Sequence, residues 1–295
     1  MSKKAVIIVN PVAGKMKIKK ELPSIVASLK GQGYNTKTFI TKARGDASRV
    51  AEKLGKKFDL IVCCGGDGTL NEVISGLIKI DNKPLLLYYP CGSTNDFAST
   101  LGLKSDVKGA FDIENREVMD LDVGLFNQEL NFSYIASFGI FVKASYSAPQ
   151  KVKNVLGHFA YILEGAKELP TIGKSYHTKV VYDDGEIEGD FALVGVTNST
   201  SAGGVLKLSK DDVSLSDGLF EVLLIRGIKN GTDLAETAKL LLAQKTDGER
   251  VILLHTAKVT IECDEAPAWC TDGEFAGNLE RVEAKCLHGA VRILI

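Results

Sequence analysis

Residues 65–73 read Gly-Gly-Asp-Gly-Thr-Leu-Asn-Glu-Val, and this stretch decides the fold of the first half of the chain. The apolar run at 58–64 predicts a buried strand before it, and apolar residues at helical spacing from Leu70 to Leu77 predict a helix after it. Thr69 stands where the N-cap of that helix is expected. Backbone N–H groups at a helix N-terminus lack partners within the helix, and the helix dipole favours negative charge there. The stretch therefore predicts an anion site.

The aspartate inside this turn is electrostatically unusual. The glycines at 65, 66 and 68 let the backbone approach a phosphate group without an intervening Cβ atom. Asp67 would repel that phosphate unless its carboxylate holds a cation or takes a proton. The combination favours phosphoryl transfer over passive nucleotide binding, because transfer needs charge neutralisation and a proton acceptor beside the phosphates.

The composition is typical of a globular protein of two domains, with 295 residues of which 45% are hydrophobic and 25% charged. The net charge of −1 gives no overall field that would attract a nucleic acid, so we expect no nucleic-acid partner. The start of the chain shows no signal segment, and no run approaches the roughly 20 apolar residues of a membrane span. We therefore expect a cytoplasmic protein, which could meet a substrate in the membrane only by transient contact with the inner face.

Strand and helix patterns alternate up to about residue 120. They predict strands at 5–9, 34–40, 58–64 and 84–89, helices at 18–31 and 69–79, and one further helix capped by Asp46. Such alternation builds a doubly wound, mostly parallel sheet of the Rossmann-like α/β type, with ligand sites at the carboxyl ends of its strands. We assign residues 1–122 to this nucleotide-binding domain.

Short strands joined by hairpin turns dominate residues 123–282. Turn signals at Asn127-Gln128 and at 183–185 lie between runs of strand character, and together they predict an antiparallel β-sandwich. This second domain is expected to hold the substrate that accepts the transferred group, which the resemblance described below implies to be a lipid. Further patterns predict a strand at 130–136, helices at 152–169 and 232–244, and two last strands separated by a turn at His288-Gly289. Whether the tail at 283–295 joins the first domain stays open.

Three loops of the first half follow predicted strands. They are Asn10-Pro11-Val12-Ala13-Gly14-Lys15, the turn at 65–69, and Gly92-Ser93-Thr94-Asn95-Asp96-Phe97. Because the carboxyl ends of parallel strands meet at one edge of a sheet, we expect the loops to converge on a nucleotide phosphate site. The Walker A spacing and the Gly-x-Gly-x-x-Gly fingerprint are both absent, which excludes those two motifs.

Four motifs in this order resemble the diacylglycerol kinase catalytic family. They are Asn10-Pro11 with Gly14, Gly65–Val73, residues 92–98, and Thr271-Asp272-Gly273-Glu274. The resemblance is to the soluble bacterial lipid kinases of Gram-positive type, and it runs through nearly the whole chain.

The resemblance implies Mg²⁺-dependent transfer of the γ-phosphoryl group of ATP to a lipid hydroxyl, with diacylglycerol as acceptor and phosphatidic acid as product. It makes Glu274 the proton acceptor. It also implies a structural Mg²⁺ held by Asp217 and the carbonyl groups of Ser214 and Leu219, whereas the residues Asp217-Gly218 taken alone favour a plain hairpin turn. The residues implied at the nucleotide are Asn10, Pro11, Val12, Ala13, Gly14, Thr41, Gly65, Gly66, Asp67, Gly68, Thr69, Leu70, Asn71, Ser93 and Asn95.

The chemistry of phosphoryl transfer can be stated without the resemblance. It needs in-line positioning, charge neutralisation, and a carboxylate that receives the hydroxyl proton, which typically contributes about 10²–10⁴-fold in rate. Asp67 and Glu274 are the two candidates. We interpret Glu274 as the base and Asp67 as the residue that positions metal and phosphate, and the reverse assignment stays open. Asp96 and Asp122 are further candidates for a metal or hydrogen-bond network.

Two alternatives remain in other functional classes. A NAD kinase-like phosphotransferase shares the Gly-Gly-Asp-Gly-Thr turn, but the continuation Asn95-Asp96-Phe97 disfavours it. A non-catalytic nucleotide or lipid sensor is disfavoured because Asp67 and Glu274 are both retained. The sequence does not distinguish diacylglycerol from another glycerolipid or a sphingoid base, and it leaves a homodimer open. Residues 151–169 fit either an interfacial helix or ordinary core packing.

Overall fold

The computed structural model describes residues 2–92, 95–103, 107–140, 174–202 and 206–295. The chain forms two compact units. The first contains Met1–Leu121 together with His288–Ile295, and the second contains Asp122–Leu287.

A parallel sheet forms the centre of the first unit. Its strands are β1 (Lys3–Val9), β2 (Tyr34–Ile40), β3 (Leu60–Gly65), β4 (Leu85–Pro90) and the end of the last strand, β17 (Arg281–Leu294). They lie in the order β2-β1-β3-β4-β17, and every pairing between them is parallel. Val9 lies opposite both Ile40 and Cys64, and Cys64 lies opposite Tyr89. The carboxyl ends of four strands are therefore level.

Helices cover both faces of this sheet. They are α1 (Lys17–Gly31), α2 (Asp46–Gly55), α3 (Asp67–Leu77), α4 (Asp96–Thr100) and α5 (Val107–Ala110). Ile18, Ile25 and Leu29 of α1 pack with Leu60 and Val62 of β3 in one apolar cluster. Ile61 lies between Leu60 and Val62 in β3, so its side chain points to the opposite face of the sheet. There, a Cβ atom built at Gly55 of α2 would lie 3.7 Å from the Ile61 side chain. The predicted doubly wound α/β sheet is confirmed.

Antiparallel strands form the second unit. They are β5 (Val118–Phe126, which begins in the first unit), β6 (Leu130–Phe132), β7 (Ile135–Gly139), β8 (Tyr176–Tyr182), β9 (Gly185–Thr197), β10 (Ser201–Ala202), β11 (Leu206–Lys207), β12 (Phe220–Arg226), β13 (Val251–Thr256), β14 (Lys258–Cys263), β15 (Ala268–Thr271) and β16 (Glu274–Asn278), with helix α6 (Gly231–Leu242). The first part of β9 pairs with β8, and its last part lies between β7 and β12.

The core of this sandwich is rich in aromatic side chains. Trp269 contacts Phe126 and Phe138 edge to face, with ring centroids 5.4 and 4.8 Å apart. Its indole N–H donates to the carbonyl oxygen of Leu279 at 3.2 Å, so the buried ring has no unpaired polar atom. The predicted antiparallel β-sandwich is confirmed.

Two predicted helix caps are wrong by a few residues. The N-cap of α3 is Gly66, so Thr69 lies inside the first turn, and the N-cap of α2 is Gly45, so Asp46 is the first helical residue. In both cases the prediction assumed that the polar side chain caps the N-terminus of its own helix. The carboxylate of Asp46 instead accepts hydrogen bonds from the loop before the helix.

Two predicted strand boundaries are also wrong. The strand predicted at 130–136 is broken at Ser133 and Tyr134, because the N–H groups of these residues donate to the Asp272 carboxylate and not to a neighbouring strand. The turn predicted at His288-Gly289 does not end the strand. Gly289 takes a positive φ of 56°, but β17 continues through it from Arg281 to Leu294.

Two predictions concern residues outside the described part of the chain, namely the helix at 152–169 and the nucleotide contact of Ser93. Among the helices that are described, none has both the length and the apolar character needed to cross a bilayer.

Candidate active site

The loops predicted to converge do so at the carboxyl edge of the parallel sheet. The first and third of these loops, and also the loop that begins at Thr41 after β2, each start with a hydrogen bond to the end of a neighbouring strand. The N–H of Asn10 donates to Cys64 at 2.9 Å, that of Thr41 to Val9 at 2.9 Å, and that of Cys91 to Gly65 at 2.7 Å. These bonds extend the sheet pairing by one residue beyond β1, β2 and β4, and so bring the loops together.

Two glycine contacts hold the loops close to one another. Gly14 has a φ of +53°, and a Cβ atom there would overlap the carbonyl oxygen of Cys91. A Cβ atom at Gly92 would lie 2.7 Å from the Cα atom of Gly66. Any side chain at these positions would push the loops apart, so these glycines are required by the protein itself.

Gly68 differs from these glycines. It is exposed as the second residue of α3, and no described atom lies within 4 Å of a Cβ atom built there. Its φ also lies outside the positive range that favours glycine. The packing of the described residues therefore gives no reason for glycine at this position, which leaves the close approach of a ligand as a reason.

Asn10 and Thr69 connect the first loop to the second. The Asn10 amide donates to the Thr69 hydroxyl at 3.0 Å, and its carbonyl oxygen accepts from the N–H of Val12 at 3.2 Å. Thr69 is buried, and a Cβ atom at Gly65 would lie 2.5 Å from its side chain. These two predicted nucleotide residues thus support the shape of the loops.

Asp67 connects the second loop to the third. Its carboxylate accepts from the N–H groups of Asp96 at 3.1 Å and Phe97 at 3.4 Å, in the first turn of α4, and lies 3.5 Å from the hydroxyl of Tyr88. Burial, and then the Asp67 charge, raise the pKa of Tyr88, so the phenol stays a donor. These donors explain how a carboxylate is stable inside an anion-binding turn. Tyr88 gave no signal in the sequence beyond strand character.

The other predicted nucleotide residues of the described chain take different positions. Asn95 has a φ of 53°, and its side chain is hydrogen-bonded to the N–H and carbonyl groups of Gly92, at 2.8 and 3.0 Å. The side chain of Leu70 is fully buried in the core, so only its backbone can face the edge. Val12 is 76% exposed, while Pro11, Ala13, Thr41 and Asn71 are partly exposed.

Two carboxylates that were not assigned to the site hold the loop after Thr41. Glu72 of α3 accepts from the N–H groups of Gly45 at 2.9 Å and Ala47 at 3.1 Å. Asp46 accepts from Lys42 and Ala43, and these N–H groups lower the pKa of its carboxyl. Glu72 belongs to the 65–73 motif, so its presence there was the available signal.

The Thr271–Glu274 motif forms the tight turn between β15 and β16. Asp272 and Gly273 both take positive φ, 47° and 82°, as in a type I′ hairpin turn, and Thr271 pairs with Glu274. Glu274 is exposed at the start of β16. The Asp272 carboxylate accepts from Ser133 at 2.6 Å and from two further N–H groups.

The predicted metal turn is hydrogen-bonded to Asp122. This carboxylate is fully buried and accepts from the N–H of Gly218 at 2.6 Å, and the N–H of Asp122 donates to Leu215 at 2.9 Å. One oxygen of Asp217 accepts from the N–H of Leu219 at 3.0 Å. Asp122 therefore acts within the described chain as the network carboxylate that fixes this turn.

Glu221 adds a feature that the sequence did not reveal, because its position in β12 looks like part of an apolar strand. It is fully buried, and neither carboxylate oxygen has a hydrogen-bond partner among the described residues. Burial raises its pKa to about 8, and the charges of Asp217 and Asp122 add to this effect, although the nearby backbone N–H groups of Glu221 and Ser214 act in the opposite direction. An unpaired buried carboxylate beside Asp217 fits a hard cation with oxygen ligands.

The ligand set at this turn is nevertheless sparse in side chains. Within the described ranges, no three His, Cys, Asp or Glu residues are grouped so that they could hold a metal ion. Ser214 and Leu219 can offer carbonyl oxygens, and Mg²⁺ usually keeps several waters and needs only one or two carboxylates. The residues present thus fit Mg²⁺ better than a transition metal.

Comparisons with known proteins agree with this geometry. Residues 4–126 match the family model of the diacylglycerol kinase catalytic domain, and residues 135–295 match the YegS C-terminal NAD kinase beta sandwich-like domain. A diacylglycerol kinase of Bacillus subtilis strain 168 is 34% identical over 280 residues, which cover 94% of this chain and 91% of the relative.

A diacylglycerol kinase of Staphylococcus epidermidis strain RP62A is 34% identical over 287 residues, covering 95% of this chain and 88% of the relative. A crystal structure of a diacylglycerol kinase from Bacillus anthracis has the same fold, with a TM-score of 0.79 at 24% identity over 99% of this chain and 96% of that one. The resemblance inferred from the motifs is confirmed. The chain belongs to the diacylglycerol kinase family.

Proposed function

We propose that the protein is an ATP-dependent lipid kinase, which transfers the γ-phosphoryl group to the hydroxyl of diacylglycerol and gives phosphatidic acid. Family membership supports the reaction class, and the names of the relatives from Bacillus subtilis and Staphylococcus epidermidis support the acceptor. The acceptor lies in a bilayer, so the protein works in transient contact with the inner face of the membrane.

One observation carries this proposal, namely the mutual support of the three loops at the carboxyl edge of β1, β3 and β4. Asn10 with Thr69, Asp67 with Asp96, and Gly14 with Cys91 fix the edge before any ligand arrives. Helix α3 begins at this edge of the sheet. Such an edge suits a triphosphate, because the backbone N–H groups at the helix N-terminus and the helix dipole favour negative charge. Gly68 is the open position at which a phosphate approaches the backbone.

Glu274 is the proposed proton acceptor. The acceptor hydroxyl attacks the γ-phosphorus, the bond from that phosphorus to the bridging oxygen of ADP breaks, and the hydroxyl proton passes to the Glu274 carboxylate. The exposed position of Glu274, directly after the two central residues of the turn, supports this role. Asp67 positions the phosphates by holding the N-terminus of α4, and the reverse assignment of the two acids is tested by their separate variants.

Mg²⁺ is proposed at the turn formed by Ser214, Asp217 and Leu219, where it would neutralise the charge of the exposed Asp217 and of the buried Asp122 and Glu221. Asp122 holds the backbone of this turn, and Glu221 lies beside it without a partner in the described chain. The carbonyl groups of Ser214 and Leu219 complete the oxygen ligands.

The test is transfer of labelled phosphate from ATP to a panel of lipids in mixed micelles containing Mg²⁺. We expect labelled phosphatidic acid from diacylglycerol, and a loss of at least 10²-fold in kcat for Glu274→Gln. NAD serves as a control acceptor, because residues 135–295 match a NAD kinase beta sandwich-like domain. Labelling of NAD without labelling of any lipid would replace this proposal by a NAD kinase activity.

A further inference from the structure

The Asp272 carboxylate joins the Thr271–Glu274 turn to a distant part of the second unit. It accepts from three consecutive backbone N–H groups, those of Ser133 at 2.6 Å, Tyr134 at 3.1 Å and Ile135 at 3.1 Å. These groups lie more than 130 residues away in the chain, where β6 ends and β7 begins. Hydrogen bonds to an ionised acceptor are shorter and stronger than those between neutral groups.

The segment that donates to Asp272 is itself fixed. The carbonyl oxygen of Tyr134 accepts from the Thr197 hydroxyl at 2.6 Å and from the N–H of Asn198 at 3.0 Å. The N–H of Asp272 in turn donates to the carbonyl oxygen of Ile135 at 2.9 Å. Asp272 is therefore bonded through both its side chain and its backbone to a segment that is itself hydrogen-bonded to Thr197 and Asn198.

Glu274 begins β16 two residues after this anchor. Asp272 and Gly273 are the two central residues of the hairpin turn, and both require positive φ. Their conformation sets where β16 starts and in which direction Glu274 points. The carboxylate of Asp272 thus selects one orientation of the turn that carries Glu274.

We propose that Asp272 is a positioning residue, which holds Glu274 in the orientation needed to accept the hydroxyl proton. This inference rests on the proposed function, in which Glu274 is the base. It predicts that loss of the Asp272 carboxylate lowers kcat about 10²-fold, because a displacement of about 1 Å in catalytic geometry has this effect. The KM for ATP should change less than threefold, because the proposed nucleotide residues all belong to the first unit.

A matched control exists in the same unit. One oxygen of Asp247 also accepts from three backbone N–H groups, those of Glu249 at 3.1 Å, Arg250 at 2.9 Å and Val251 at 2.9 Å. Asp247 precedes β13 and has no part in the Thr271–Glu274 turn. Its substitution removes a similar set of hydrogen bonds at a position outside the proposed site.

The experiment compares Asp272→Asn, Asp247→Asn and Glu274→Gln with the unchanged protein, by kcat, by KM for ATP and by thermal unfolding. We expect both Asn variants to unfold at lower temperature, but only Asp272→Asn to lose about 10²-fold in kcat. If Asp272→Asn does not fold, Asp272→Glu keeps the charge and displaces it by one methylene, and the same loss is expected. A kcat within threefold of the Asp247→Asn value overturns the positioning role.

Failure of the proposed function gives a different result. If the unchanged protein labels no lipid, the proposed function is wrong. If Glu274→Gln keeps full kcat, the assignment of Glu274 as the base is wrong. Both conclusions hold whatever the result for Asp272→Asn. A Glu274→Gln variant without activity beside a fully active Asp272→Asn contradicts only the inference about Asp272.

Discussion

Replacement of Gly68 by alanine separates the needs of the folded protein from those of its ligand. Gly68 is the second residue of α3, it is exposed, and no described atom lies within 4 Å of a Cβ atom built there. Alanine at a helical position that accepts it without strain stabilises a protein by about 0.4–1 kcal/mol. For a protein of this size, that corresponds to a rise of roughly 1–4 °C in the unfolding midpoint.

The same methyl group should weaken the binding of ATP. If a phosphate oxygen approaches the backbone at Gly68, the added methyl group meets it directly, and overpacking of this kind costs about 1–3 kcal/mol. This corresponds to a rise of roughly 5- to 150-fold in Kd. The variant is therefore expected to be more stable and a weaker binder at once, a combination that general damage to the fold cannot produce.

The assay is titration of the unchanged and variant proteins with ATP by calorimetry, together with thermal unfolding without ligand. Gly231→Ala is the matched control, because Gly231 is the first residue of α6, also without any described atom within 4 Å of an added Cβ. It should gain similar stability and bind ATP normally. Gly92→Ala, in contrast, should unfold at a lower temperature than the unchanged protein, since its Cβ would lie 2.5 Å from the Asn95 side chain.

Two results would refute this reasoning. A Gly68→Ala variant that binds ATP as tightly as the unchanged protein would show that no phosphate approaches the second loop. A variant that unfolds at a clearly lower temperature would show that the position is crowded, which contradicts the open space seen around it.

The remaining predictions concern three side chains. Asp67→Asn is expected to lower kcat at least 10²-fold and to lower the unfolding midpoint, because an amide cannot accept both N–H groups at the start of α4; full activity in the labelled-ATP assay would contradict this. The raised pKa of Glu221 means that the folded protein binds this proton more tightly, so stability is lost as pH rises from about 4.5 towards about 8. Glu221→Gln should therefore unfold at higher temperature than the unchanged protein at pH 8 without Mg²⁺ and gain less from added Mg²⁺, and an equal response to Mg²⁺ in both proteins would argue against a cation near Glu221. Hydrogen bonds from the His177 ring to the carboxylates of Asp190 and then Glu188 raise the pKa of His177, so its stabilising contribution is complete below the unfolded value near 6.5 and is lost as pH rises through the folded value. An NMR titration should show this pKa fall in Asp190→Asn, and an unchanged pKa would exclude the ion pair in solution.

The sequence predicted the features that depend on chain direction and local pattern. The buried runs of β1 and β3 and the helical spacing from Leu70 to Leu77 were sufficient for the parallel sheet. The convergence of the three loops follows from that topology alone, because the carboxyl ends of parallel strands share an edge.

What the sequence could not reveal are hydrogen bonds between distant residues. The partners of Asp67 lie 29 and 30 residues away, and those of Asp272 lie 137 to 139 residues away. No local pattern predicts such pairs, and the break at Ser133 was not predicted for the same reason. The unpaired state of Glu221 depends on burial by several strands and was equally invisible.

The most direct measurement follows ATP, ADP and phosphatidic acid together by ³¹P NMR in diacylglycerol micelles with Mg²⁺. We predict that one molecule of phosphatidic acid forms for each ATP consumed, and that no ATP is consumed without the lipid. In Glu274→Gln, neither the ATP signal nor the phosphatidic acid signal should change. ATP consumption that does not depend on diacylglycerol, or ADP formed without any phosphatidic acid, would contradict the assignment of this protein as a lipid kinase.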